Sequence, residues 1–114
     1  MSKNTEFIFI RHGITELNVK KVYFGQLDPP LTNEGIRQIQ NTRNNLISEN
    51  IGIFYSSDLK RCVESAKIIN EHTNLDIIEK NGFRELNFGI FEGISHKELV
   101  SRYPEEADIF FFFF

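Results

Sequence analysis

The sequence predicts an α/β domain with a mostly parallel sheet, and two observations lead to this fold class. Short apolar runs alternate along the chain with longer segments whose apolar residues recur at helical spacing, which is the order of elements in parallel α/β domains. The chain has 114 residues, a length that fits one domain with a modest core. We therefore expect helices on both faces of the sheet, in three α/β/α layers.

The elements of the first half follow from local signals. Residues 7–10 (FIFI) are a continuous apolar run, typical of a strand buried on both faces of a parallel sheet. Residues 19–31 contain a glycine and two prolines and predict a loop. Thr32 is a suitable N-cap for a helix predicted over residues 33–49. The apolar run of residues 51–55 predicts the second strand.

The second half continues the alternation. The Ser-Asp pair at residues 57–58 predicts the start of a second helix, whose apolar residues recur every three to four positions. Residues 75–78 predict the third strand. Ser95 and Glu98 have the spacing of a capping box, so a short helix is expected to begin there and to end before Pro104.

Composition excludes several classes of function. The 13 basic and 16 acidic residues give a net charge of −3, which argues against nucleic acid or an anionic membrane as the partner. A single cysteine cannot form an internal disulfide. No stretch approaches the roughly 20 apolar residues that span a bilayer, and the first residues lack a signal region. We therefore expect a cytoplasmic protein whose partner is a small molecule.

The last five residues, 110–114, are all phenylalanine. Such a run has neither helical nor strand periodicity and would promote aggregation if exposed. We expect residues 1–109 to form the domain and the tail to be non-native or disordered, as in a truncated or frame-shifted gene. The alternative is a terminal anchor that packs into a groove.

Polar residues follow each of the three predicted strands. Arg11, His12 and Gly13 follow the first, Arg61 lies in the first helical turn after the second, and Glu85 follows the third. Ligands of open α/β sheets bind beyond the carboxyl ends of the strands, so these side chains can converge. A neutral imidazole can attack phosphorus without a metal. Two guanidinium groups can clamp a phosphoryl group, and a carboxyl group can protonate the leaving oxygen.

None of these residues is decisive alone. A histidine after a strand is more often a hydrogen-bonded loop residue, and an arginine in a first helical turn is usually a solvated charge. His72 and His96 are expected at the surface, and Cys62 on the apolar stripe of its helix is expected to be core packing. The combination at the strand ends is what favours a phosphate site.

Three segments, in order, resemble the signatures of a known family. They are FIFIRHGITELNVKKVYFGQLDPPLTNEG at residues 7–35, YSSDLKRCVESA at residues 55–66 and RELNFGIFEG at residues 84–93. Together they resemble the histidine phosphatase superfamily, which includes cofactor-dependent phosphoglycerate mutase. The resemblance extends to about residue 106 and implies that His12 is the phosphorylated nucleophile, with Glu85 as the acid and no metal or other cofactor. The residues that it implies for binding the phosphoryl group and the rest of the substrate are Arg11, Gly13, Thr15, Asn18, Phe24, Gly25, Arg61 and Glu85.

Two departures from that family bear on activity. The family carries a second catalytic histidine in a Ser-His-Gly-Gly-like motif on a later strand, and this sequence has no such motif. In the family, that later strand lies between the first two strands of this chain. We therefore expect a C-terminally truncated chain with little or no activity of its own, in which the first two strands leave a gap or pair directly.

Within the family, the segments VYFGQLD and ELNFGIFEG resemble the α-ribazole phosphatase type, an enzyme of cobalamin assembly. The resulting prediction is metal-independent hydrolysis of a small phosphomonoester such as α-ribazole 5'-phosphate. Three alternatives stay open at this point. They are phosphotransfer of the phosphoglycerate mutase type, phosphate binding without turnover, and a fragment that does not fold stably. The sequence gives no oligomeric state.

Overall fold

A parallel pair of strands and the helix that connects them form the α/β unit of the chain. The computed structural model describes residues 4–113, with side chains through Asp108. Strand β1 (Phe54–Ser56) leads into helix α3 (Lys60–Ile69) and then into strand β2 (Ile77–Glu79). The two strands are parallel, with Phe54 opposite Ile77. The predicted mixed α/β class with a parallel sheet is confirmed, although both strands are shorter than the apolar runs suggested.

Two helices precede that unit. The short helix α1 (Glu16–Val19), which the sequence did not predict, is followed by α2 (Asn33–Asn45). Thr32 caps α2 as predicted, since its side chain accepts a hydrogen bond from the Gly35 N–H at 3.0 Å. The helix ends at residue 45 rather than 49, because the chain turns at Leu46.

The packing of α2 against α3 buries part of the apolar core. Ile39 on α2 and Ile69 on α3 are each 2 % exposed, and Ala66 is 4 % exposed. Burial of such side chains stabilises the pair by roughly 1.5–3 kcal/mol for each large aliphatic residue. The pairing of these two helices therefore holds the loops that follow residue 10 and β1 next to each other.

Helix α3 begins differently from the prediction. Leu59 is its N-cap residue, and no side-chain hydrogen bond caps the helix from within the Ser-Asp pair at residues 57–58. Instead, the carboxylate of Asp28 accepts a hydrogen bond from the Lys60 N–H at 2.6 Å. An acidic group at this position also interacts favourably with the positive end of the helix dipole. The loop before α2 is thereby fastened to the start of α3.

The last part of the described chain is helical. Helix α4 (His96–Arg102) begins at Ser95, whose side chain accepts from the Glu98 N–H at 3.2 Å, as predicted. Helix α5 (Pro104–Phe113), which was not predicted, starts at the proline that ends α4. The backbone of residues 110–113 continues this helix. The expectation for the phenylalanine side chains and for residue 114 falls outside the described part and stays a prediction.

The prediction of a buried strand at residues 7–10 is wrong. Within the described chain this segment forms no strand, and Phe7 and Phe9 are 77 % and 91 % exposed. A groove of about 860 Å³ separates residues 5–10 from residues 49–57. A strand is stable only beside a neighbour that pairs with its backbone, and none lies there among residues 4–113. Of the two outcomes expected for the first two strands, a gap and direct pairing, the structure has the gap.

Residues 4–113 contain no helix that is long and apolar enough to cross a bilayer.

Candidate active site

His12 lies at the end of the exposed segment and is half-buried. Its Nδ1 atom is 2.7 Å from the carbonyl oxygen of Gly13. A carbonyl oxygen only accepts hydrogen bonds, so Nδ1 carries the hydrogen in this contact. The other ring nitrogen, Nε2, then holds the lone pair when the imidazole is neutral. This tautomer is the one that a nucleophile attacking through Nε2 requires.

The surroundings of His12 favour its neutral form. Burial lowers the pKa of this imidazole below its ordinary value of 6.5, and the charges of Arg61 and Arg11 lower it further. The hydrogen bond to Gly13 and the charge of Glu85 act in the opposite direction. Arg11, Arg61 and Glu85 are thus all close enough to His12 to influence its pKa. The imidazole is therefore neutral near pH 7.

A half-open cavity of about 250 Å³ adjoins this histidine. It is lined by Arg11, His12, Ile14, Asn18 and Gln38. Two of these, Arg11 and Asn18, belong to the predicted substrate-binding set. The size and the basic lining suit a phosphoryl group with a small substituent.

Thr15 lies behind this cavity rather than on its wall. The Thr15 side chain is fully buried, and its hydroxyl donates to Asn18 Oδ1 at 3.0 Å. Asn18 Oδ1 also accepts from the Thr15 N–H at 2.9 Å, so the two residues form the capping box of α1. In this arrangement Thr15 orients Asn18, which faces the cavity.

Arg61 is the most constrained charged group of the site. It is 2 % exposed, and its guanidinium donates to the carbonyl oxygens of Leu27 at 2.9 Å and Gly25 at 2.8 Å. The ring of Phe24 lies 4.8 Å from the guanidinium carbon, a distance typical of cation–π contact. The buried Nε of Arg61 has no hydrogen-bond partner among residues 4–113. A buried donor without a partner is costly, and a hydrogen-bond acceptor such as an anion would satisfy it.

Gly25 is required by a close approach. A Cβ atom at this position would lie 1.6 Å from the carbonyl oxygen of Leu86, so only glycine fits. The same loop contacts the segment that carries the predicted acid, because Gln26 Nε2 donates to the carbonyl oxygen of Glu85 at 2.6 Å. The Glu85 side chain is exposed, and its carboxylate accepts from the Leu86 N–H at 3.0 Å.

Two residues that sequence reasoning missed hold the site together. Ser65 accepts from the Gly13 N–H at 3.2 Å and donates to the Arg61 carbonyl at 2.7 Å, which joins the loop of His12 to α3. Its position one helical turn after Arg61, on the buried face, is the signal that could have found it. The second is Glu92, which lies in the third of the three signature segments. The sequence does not indicate which residues its side chain contacts.

Among residues 4–113, no group of three or more histidine, cysteine or carboxylate side chains is placed to hold a metal ion.

The family model of the histidine phosphatase superfamily (branch 1) matches residues 7–113. The chain belongs to the histidine phosphatase superfamily. The match includes His12 together with Arg61 and Glu85, whose charges influence its pKa. The superfamily assignment thus agrees with the resemblance in the three sequence segments.

Relatives within the superfamily bear both phosphatase and mutase names. A Bacillus subtilis protein named "Uncharacterized phosphatase PhoE" is 36 % identical over 101 residues, which are 89 % of this chain and 52 % of that protein. A Proteus mirabilis protein named "Probable phosphoglycerate mutase GpmB" is 41 % identical over 83 residues, 73 % of this chain and 39 % of that protein. The chain spans about half the length of the curated relatives it matches.

Comparison with a solved structure shows that the fold is similar to that of a known phosphatase. The crystal structure of the α-ribazole phosphatase from Shigella flexneri matches with a TM-score of 0.80 at 30 % identity. The match covers 87 % of this chain and 49 % of that one. The described part of this chain is therefore similar to about half of a histidine phosphatase domain.

Proposed function

We propose that the site of this chain serves metal-independent hydrolysis of a small phosphomonoester through a phosphohistidine at His12. The observation that carries the proposal is the hydrogen bond from Nδ1 to the Gly13 carbonyl, because it leaves Nε2 with the lone pair. The lowered pKa of His12 supports the same role, since only the neutral ring is nucleophilic.

In the proposed reaction, Nε2 attacks phosphorus and forms an N–P bond while the bond from phosphorus to the leaving oxygen breaks. Glu85 supplies the proton that the leaving alkoxide takes. Water then attacks the phosphohistidine and gives a proton to the Glu85 carboxylate, while the N–P bond breaks and inorganic phosphate and the neutral ring are released. Arg11 and Arg61 stabilise the charge of the transferred group.

The proposed substrate class is a small phosphorylated metabolite such as α-ribazole 5'-phosphate. The likeness to the Shigella flexneri α-ribazole phosphatase and the segments VYFGQLD and ELNFGIFEG support this type. The cavity of about 250 Å³ beside His12 suits the phosphoryl end of such a molecule. Cytoplasmic localisation is part of the same proposal.

We propose further that the chain of 114 residues turns over slowly on its own. Its two other histidines, His72 and His96, do not match the Ser-His-Gly-Gly-like motif of the family's second catalytic histidine. Loss of one transition-state donor typically lowers the rate about 10²–10³-fold. The nucleophile and acid proposed for phosphorylation of His12 lie in the described chain, so we expect this labelling to be slow but detectable.

The test incubates the purified chain with p-nitrophenyl phosphate and measures both acid-labile phosphohistidine, by mass spectrometry, and released nitrophenol. We expect labelling that His12→Ala abolishes and that His72→Ala, an exposed histidine, leaves unchanged. Labelling that survives in His12→Ala contradicts the proposed nucleophile. Turnover equal to that of a full-length relative contradicts the proposed slow turnover.

A mutase is the second candidate, because one of the relatives at 41 % identity bears the phosphoglycerate mutase name. Both activities share the phosphohistidine and differ in the acceptor of the phosphate. Incubation with 3-phosphoglycerate and its bisphosphate cofactor separates them, since a mutase produces an isomer and a phosphatase produces free phosphate. Phosphate binding without any labelled histidine would instead indicate a non-catalytic module.

A further inference from the structure

A single carboxylate, that of Glu92, organises the loop that holds Arg61. Its oxygens accept from three successive backbone N–H groups. The contacts are Gly25 N at 3.0 and 2.7 Å, Gln26 N at 2.5 Å and Leu27 N at 3.2 Å. Successive N–H groups that converge on one anion form a nest. These contacts fix the direction in which each peptide of the loop faces.

The opposite side of the same loop faces Arg61. The peptide between Gly25 and Gln26 offers its N–H to Glu92 at 2.5 Å and its carbonyl oxygen to Arg61 at 2.8 Å. In a trans peptide the N–H and the C=O point in opposite directions. One peptide therefore joins an acidic group on one side to a basic group on the other. A carboxylate at the N–H end polarises the peptide, and this strengthens the hydrogen bond that the carbonyl oxygen of the same peptide accepts.

The position of Glu92 is itself fixed by backbone pairing. The Gly93 N–H donates to the Tyr23 carbonyl at 2.7 Å, and the Tyr23 N–H donates to the Ile94 carbonyl at 2.8 Å. An antiparallel bridge between Val22 and Ser95 continues this pairing. The carboxylate is thus held opposite the loop by main-chain contacts.

We propose that Glu92 is a positioning residue, which holds the guanidinium of Arg61 in its phosphate-binding place through the Gly25–Gln26 peptide. It touches no reacting group and acts through Arg61. The loss of Glu92 frees the loop to turn its peptides, and the carbonyl oxygens of Gly25 and Leu27 then no longer meet the guanidinium. The role in phosphate binding rests on the proposed function, whereas the immobilisation of Arg61 does not.

The first readout is the Arg61 Nε–Hε signal in a nitrogen–proton NMR spectrum of the full chain without ligand, assigned by its absence in Arg61→Lys. A pinned, buried guanidinium gives a shifted signal with restricted fast motion. We expect Glu92→Ala to move this signal to the position of the exposed arginines and to make it mobile. Glu92→Gln keeps one acceptor oxygen and is expected to have an intermediate effect.

The matched control is Glu98→Gln. Glu98 is a surface glutamate paired with Arg102 at 3.0 Å, and its side chain has no described contact with the loop. The second readout is the affinity for inorganic phosphate, measured by phosphorus NMR titration. We expect Glu92→Ala to bind phosphate about tenfold more weakly, the size expected when a fixed charged donor is released, and the control to bind as the parent does.

The outcomes separate the two proposals. An Arg61 signal that is unchanged in Glu92→Ala overturns the positioning role, whatever happens to phosphate binding. A parent chain that binds no phosphate but whose Arg61 is released by Glu92→Ala contradicts the proposed function and supports the positioning role. Collapse of the backbone spectrum in both Glu92 variants but not in the control also overturns it, because Glu92 would then be needed for folding.

Discussion

The two sides of His12 differ in what their side chains contact. On one side the loops are joined by hydrogen bonds, and on the other large apolar side chains are exposed to solvent. The phosphate side is formed by residues 11–31, the start of α3 and residues 84–95. Its loops are joined by hydrogen bonds between the backbone and the side chains of the buried Arg61 and the half-buried Glu92. On the groove side, formed by residues 5–10 and 49–57, large apolar side chains are exposed, with Phe9 at 91 % and Ile53 at 65 %.

This difference separates the site from the sheet. The phosphate side is held by α2, α3 and the loops that contact them, so its geometry does not require a strand at residues 7–10. The groove side has the apolar composition of a sheet interior without the neighbouring strand. The chain spans about half the length of the curated relatives it matches. The part that the structure describes contains the loops around His12 and Arg61 but no strand paired along the groove.

The largest expected effect tests whether the packed apolar core lies at the contact of α2 with α3 and not on the groove side. Ile39→Ala removes a side chain that is 2 % exposed and should lower the free energy of unfolding by about 2–5 kcal/mol. The matched change on the groove side, Phe9→Ala, should cost less than about 0.5 kcal/mol because Phe9 is already in solvent. Urea unfolding followed by circular dichroism measures both. Equal losses would show that residues 5–10 are packed in solution and would remove the distinction.

A smaller effect is expected from adding one methyl group on each side. Gly25→Ala places a Cβ atom 1.6 Å from the Leu86 carbonyl oxygen, whereas a Cβ atom at Gly52 meets nothing within 4 Å. The first change should destabilise by about 1–3 kcal/mol through overpacking and should weaken phosphate binding. Gly52→Ala should leave both properties unchanged. Urea unfolding measures the stability of both variants, and a phosphate titration measures their affinity. Tolerance of alanine at residue 25 would show that the loop is not fixed.

The sequence predicted well the elements whose signals are local. The helix starts at Thr32 and Ser95 depend on a side chain and a backbone N–H three residues later, and both predictions are confirmed. Residues 7–10 have the composition of a strand, but a strand depends on a partner that is distant in sequence. The start of α3 is similar, because its capping group, Asp28, lies 32 residues before Lys60.

The same rule applies to the site. The sequence predicted that Arg11, Arg61 and Glu85 meet His12 because parallel strands end at one edge of a sheet. The first of those strands, at residues 7–10, does not form in the described chain, and the placement of these residues in one site stays a prediction. The support from Glu92 was not predicted. Its contacts to Gly25 and Gln26 span 67 and 66 residues, and nothing in the local sequence indicates which loop a carboxylate will bind.

The smallest expected effect is on the pH dependence of His12, the residue that lies between the two sides. Burial and the charges of Arg61 and Arg11 lower the pKa of this imidazole below 6.5, and only the neutral ring can act as the proposed nucleophile. The rate of His12 phosphorylation should therefore fall on the acid side with a midpoint below pH 6.5. Arg11→Ala removes one cation, so the pKa rises and the midpoint moves to higher pH.

The control is Arg37→Ala, which removes an exposed arginine of α2 that is not among the charges acting on His12. Proton NMR titration of the His12 ring gives the midpoint directly and does not depend on the rate. A midpoint above 6.5 in the parent, or one that moves equally in both variants, contradicts the assignment.

The lowered pKa of His12 also affects the stability of the folded chain. Below pH 6.5 the unfolded chain binds the proton more readily than the native one, so this histidine makes the native state less stable as the pH falls.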